Sequence, residues 1–98
     1  MIERRKHPRV ETNRIALVRF EGGRQFEACR VLNLSLGGAL LSSEHAAQLP
    51  ERLSLYMDSL QQRLQVAVAE CSVVRRQGDQ VAVQFTDTRF IAGLSLGL

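Results

Sequence analysis

Hydrophobic and polar positions alternate in short runs along this chain, and turn-forming residues separate the runs. Ile15 to Phe20 is rich in strand formers and is ended by Glu21-Gly22-Gly23-Arg24, whose paired glycines suit a hairpin turn. Gln25 to Leu32 resumes as a strand with Phe26 and Ala28 on one face, and its apolar phase wavers at Cys29 and Val31, the mark of a bulge. Asn33-Leu34-Ser35-Leu36-Gly37-Gly38 interrupts with turn formers before Ala39 to Leu41 continues as a short strand. Ser43 to Gln48 reads as one capped turn of helix closed by Pro50.

The period-2 signal is clearest further on. Leu53, Leu55 and Met57 share one face against Ser54, Tyr56 and Asp58, and Leu64, Val66 and Val68 alternate with Gln65, Ala67 and Ala69. A separate strand starts near Cys71, runs through Val73 and Val74, and turns at Gln77-Gly78-Asp79-Gln80 into Val81, Val83 and Phe85. Beyond it, Asp87 or Thr88 is placed to cap a short C-terminal helix whose Phe90, Leu94 and Leu98 recur every fourth residue, although Gly93 and Gly97 weaken it. Six short strands with one helical turn near 43–48 and a short terminal helix predict an all-β fold, a small six-stranded antiparallel barrel.

A length of 98 residues suits one domain, and 45% hydrophobic residues can fill one core. The longest apolar runs span only a few residues against the roughly 20 a membrane helix needs, so no span is predicted. The charged start MIERRKHPR is followed by no apolar stretch, so no secretory signal is read and the expected compartment is the cytoplasm. The net charge of +3 is unevenly placed. Arg4, Arg5, Lys6 and Arg9 oppose only Glu3 in the first nine residues, and the remaining chain balances nine basic against nine acidic side chains.

Two stretches carry candidate chemistry. In Arg4-Arg5-Lys6-His7-Pro8-Arg9, Pro8 disfavours helix for His7, so the arginines stand on an extended arm. Guanidinium forks there can grip phosphates, donate to a guanine edge or stack on a base, and a solvated basic tail is the plainer alternative. In Asn33 to Gly38, an Asn carboxamide can accept from the N–H edge of guanine, Ser35 adds a hydroxyl, and Gly38 permits close approach of backbone or ligand. A bulged turn between strands explains the same residues without a ligand, and the glycosylation sequon at Asn33 lacks a secretory context. Cys29 and Cys71 read as free thiols. They form no metal-ligand spacing with His7 or His45, and no catalytic set stands out, so neither a metal, a cofactor nor an enzyme is predicted.

Together, R-x-x-x-R at Arg5–Arg9 and N-x-S-x-x-G at Asn33–Gly38, in that order, resemble the PilZ family of bacterial receptor domains for cyclic di-GMP. Cys71-Ser72-Val73-Val74-Arg75-Arg76 with Val81-Ala82-Val83-Gln84-Phe85 is similar to the closing strands of that family. The resemblance implies a basic switch arm over 1–13 and a barrel over 14–98. It implies that Arg5 and Arg9 clasp the ligand, Asn33 reads guanine, Ser35 meets a phosphate or base, and Gly38 keeps the floor open. Arg4, preceding the motif, is associated in the family with an intercalated pair of nucleotides. Gly37, Arg30, Arg75 and Arg76 are further contacts that no motif fixes. Ala82 departs from the glycine common in the family, no tryptophan is present, and the absence of an output domain implies a downstream protein partner. Two other readings stand beside it. One is an adaptor without nucleotide, whose signature would be loss of these motifs. The other is a single-strand nucleic-acid binder, for which Phe20, Phe26, Tyr56, Phe85 and Phe90 offer few stacking platforms.

Overall fold

The computed structural model describes residues 10–20, 26–58, 65–94 and 96. Six antiparallel strands, β1 (Val10–Phe20), β2 (Phe26–Leu34), β3 (Gly38–Ser42), β4 (Arg52–Asp58), β5 (Gln65–Gln77) and β6 (Gln80–Ala92), close into a barrel in the order β1-β2-β3-β6-β5-β4. A single 3₁₀ turn, Ala46–Gln48, links β3 to β4. Its N-cap is His45, which makes no side-chain cap hydrogen bond, and the Ser43 Oγ instead accepts from the His45 N–H at 3.1 Å in the turn just before it.

Alternation decides what is inside. Ala16 and Val18 of β1, Cys29 and Val31 of β2, Ala39 and Leu41 of β3, Leu53 and Leu55 of β4, and Val81 and Val83 of β6 meet in one buried cluster. Phe20, Leu34, Val73 and Phe85 pack against it. In β2 the inward face is the one carrying Cys29 and Val31, and Phe26 and Ala28 are exposed. Phe26 instead lies edge-on to Tyr56, ring centroids 5.1 Å apart, on the outer wall.

Two expectations are corrected. The segments around Val66 and Cys71 are one strand, β5, because register shifts after Glu70 and after Val73 absorb the change of phase without ending the ladder. The C-terminal helix does not form: residues through Ala92 belong to β6, with Asp87 opposite Glu70, Thr88 opposite Ala69 and Phe90 opposite Ala67. Thr86, Thr88 and Ile91 are β-branched, and the long β5 supplies a ladder that a glycine-weakened helix cannot match. Gly93, at φ +78°, ends the strand, and the Leu96 N–H donates to Asp58 Oδ1 at 2.8 Å.

Candidate ligand face

Asn33 owes its direction to a bulge. In β2, Val31 pairs with Leu41 and Asn33 with Leu40, so Leu32 is an extra residue. Without it Asn33 would follow Cys29 and Val31 inward; with it Leu34 turns inward and Asn33 faces out. The facing strand is irregular at the same level, since β1 slips between Glu11 and Arg14 and Asn13 takes φ +52°. Asn tolerates this left-handed conformation better than most residues. Side chains fasten the irregularity: Thr12 Oγ1 donates to the Val31 carbonyl at 2.6 Å, and Arg30 Nη1 lies 3.3 Å from both the Asn13 carbonyl and Asn13 Oδ1.

The consequence is a continuous row across the outer wall. Glu11 of β1 opposes Asn33, Asn33 opposes Leu40, Leu40 opposes Ala82, and Ala82 opposes Arg75. Neighbouring strands lie about 4.8 Å apart, so Asn33 and Arg75 bound roughly 14 Å of sheet whose floor is Leu40 and Ala82. Asn33 Oδ1 is buried and has no hydrogen-bond partner among the described residues. A buried acceptor without a donor is uncommon and costs stability, and Glu27 Oε2 is the other such side-chain atom among the described residues.

The turn after Asn33 is tied internally. The Ser35 N–H donates to the Gly38 carbonyl at 2.9 Å, Ser35 Oγ lies 3.3 Å from the same oxygen, and the Gly37 N–H donates to Ser35 Oγ at 3.2 Å. Ser35 therefore sits in the turn rather than on an extension of β2, its hydroxyl bonded within the turn. The Gly37 carbonyl accepts from the Phe85 N–H at 2.9 Å. Gly38 has a packing reason to be glycine, because a Cβ there would strike the Val83 carbonyl oxygen of β6. It seals β3 against β6.

The remaining candidates separate. Arg75 is exposed at the end of the Asn33 row. Arg76, one residue on, donates from Nη1 to the Ala46 carbonyl at 2.9 Å and so belongs to the 3₁₀ turn. Arg4, Arg5 and Arg9 lie outside the described residues. What is described is their root, since Val10 opposes Leu34 and Glu11 opposes Asn33. β1 thus starts directly beside the Asn33–Gly38 turn. Val10 and Leu36 rim the face and are 62% and 84% exposed, apolar surfaces of the kind a base can cover. Two grooves of about 460 and 570 Å³ lie elsewhere, one over β4 and β5 and one between β2 and the loop after β3. Among the described residues the Asn33 face is a sheet surface without a second wall.

Both cysteines are buried and unbridged. Burial pushes the Cys29 thiol up to about 12. The Cys71 thiol is likewise pushed up to about 12, chiefly by burial and further by the Glu70 carboxylate. Neither is a poised nucleophile.

The described residues form a closed six-stranded antiparallel barrel with a bulge-directed polar turn beside the start of β1. The PilZ domain model matches residues 3–93, and the chain belongs to the PilZ domain family, known for reception of cyclic di-GMP. No curated protein matches the chain. No helix among the described residues is long and apolar enough to cross a membrane.

Proposed function

We propose that this chain binds cyclic di-GMP on the outer wall around Asn33, with Arg5 and Arg9 closing over it from the N-terminal side. The observation that supports the reading is the register of β1 on β2: Val10 against Leu34 and Glu11 against Asn33 start β1, one residue after Arg9 in sequence, beside the Asn33–Gly38 turn. The chemistry is matched. The ligand's phosphates call for guanidinium forks, and its guanine N–H edge calls for the unpartnered Asn33 Oδ1. The flat Leu40–Ala82 floor receives a ring, and the arginine arm provides the wall the sheet lacks. Ordering that arm over the nucleotide is the switch, its entropic cost offset by charge-assisted contacts.

On this reading the domain acts in a bacterial cytoplasm, signals to a downstream protein, and uses Arg4 to hold an intercalated pair of nucleotides. The adaptor reading would be marked by loss of Arg5, Arg9, Asn33 or Ser35, and all four are present. Titration calorimetry tests the proposal. Saturable heat with micromolar cyclic di-GMP, lost in Arg5→Ala/Arg9→Ala, is expected; no heat, or undiminished binding by the double variant, overturns it. Two nucleotides per chain, falling to one in Arg4→Leu, is expected for the intercalated pair.

A further inference from the structure

Although the barrel closes, β6 outruns its neighbour. β3 pairs only with Gln80–Gln84, and the Phe85 N–H is taken by Gly37. From Thr86 to Ala92 the described residues pair with β6 on its β5 side alone, and every one of the seven is exposed. The chain then turns at Gly93, and Leu96 reaches Asp58 on β4, across β5 and away from the open edge. An unpaired edge of this length presents a row of free backbone donors and acceptors, the standard template for strand addition.

The charges on this edge select a partner. Asp87 stands directly opposite Glu70 on β5, a like-charge pair that destabilises a sheet. Arg89 is the cation at hand, and its Nη1 holds Glu70 Oε1 at 3.3 Å, with Ser54 Oγ donating to Glu70 Oε2 at 2.8 Å. Asp87 is left beside Glu70 with its own chain's arginine engaged.

A second copy of the edge brings its own Arg89 to each Asp87, and that guanidinium, which holds its own Glu70 through Nη1, has further N–H donors for a second carboxylate. Two identical antiparallel strands related by a two-fold axis normal to the sheet pair so that the two residue numbers sum to twice that of the residue on the axis. With Thr88 on the axis, Asp87 opposes Arg89 of the second copy twice over, Thr88 opposes Thr88, and Thr86 opposes Phe90, which is 59% exposed. With Arg89 on the axis, like charges meet. With Phe90 there, Arg89 faces Ile91 and Asp87 faces Gly93. One register alone pairs the charges.

We infer that the chain forms a two-fold dimer by antiparallel pairing of its β6 edges about Thr88, with reciprocal Asp87–Arg89 ion pairs. The contact is short, so the dimer is concentration-dependent. It needs no nucleotide, and its edge begins beside the Asn33–Gly38 turn, where the Phe85 N–H meets the Gly37 carbonyl.

Sedimentation equilibrium of the full chain without nucleotide is the test. The wild type is expected to dimerise, Arg89→Asp and Asp87→Arg each to be monomeric, and an equimolar mixture of the two to form a heterodimer that requires both to be folded. Under mild oxidation Thr88→Cys is expected to crosslink to itself and Ile91→Cys is not. A wild type that stays monomeric at every concentration, a dimer indifferent to Arg89→Asp, or a Thr88→Cys variant that does not crosslink overturns the inference.

Discussion

Gly38 of β3 lies so close to Val83 of β6 that a Cβ at position 38 would overlap the Val83 carbonyl oxygen. The obstacle is backbone, so no side-chain rotation relieves it. Gly38→Ala should cost about 3 kcal/mol, the upper range for overpacking. In a domain of this size that lowers the melting temperature by more than about 10 °C. Thermal unfolding followed by circular dichroism checks this; a shift of a degree or two would mean that β3 and β6 can part without penalty.

Asn33→Ala should separate binding from stability. Its Oδ1 has no partner among the described residues, so truncation removes a buried orphan and leaves the melting temperature unchanged or slightly raised. Cyclic di-GMP affinity should fall by about tenfold or more, the worth of a hydrogen bond that loses its acceptor. Paired melting and calorimetry curves decide the point.

Arg75 and Arg76 are adjacent in sequence and should behave differently. Arg75→Ala removes the cation at the end of the Asn33 row and should weaken nucleotide binding several-fold with little effect on melting. Arg76→Ala removes the donor to the Ala46 carbonyl and should lower stability by about 1 kcal/mol while leaving affinity intact. Equal effects of the two on affinity would show that the row is not the ligand floor.

The buried thiols set an alkaline limit. Cys29 and Cys71 are raised from 9.0 to about 12, so the folded state holds protons that the unfolded state gives up. Stability is therefore complete below pH 9 and declines as pH rises from 9 towards 12, by up to about 1.4 kcal/mol per pH unit for each thiol. Urea unfolding at pH 8, 9.5 and 10.5 should show the decline, and Cys29→Ala/Cys71→Ala should flatten it. A thiol reagent at pH 8 should label neither cysteine until the chain unfolds.

Much of the barrel was legible in alternation, because period-2 burial leaves a direct trace in sequence. Leu53, Leu55 and Met57 were read as one face and are buried together on β4. The trace fails where the ladder slips. At Leu32 one extra residue reverses the faces of β2; the wavering apolar phase at Cys29 and Val31 signals a bulge but not its position, so Asn33 has no recognisable direction until β3 is in place. The terminal stripe of Phe90 and Leu94 fitted a helix, and a strand formed because β5 was long enough to pair with it. Arg75 and Arg76 look equivalent in the chain, and only the register with Ala82 and the position of Ala46 distinguish them.

By itself, then, the sequence determined a small all-β domain, a basic N-terminal cluster, and an N-x-S-x-x-G turn that together point to the PilZ family. These are local properties, carried by residue type and spacing. The tertiary structure decided that β1 starts beside Asn33, that Gly38 answers to β6, and that β6 runs on past its pairing with β3. Those relations join strands far apart in sequence, and they exist only once closure of the barrel fixes every register at the same time.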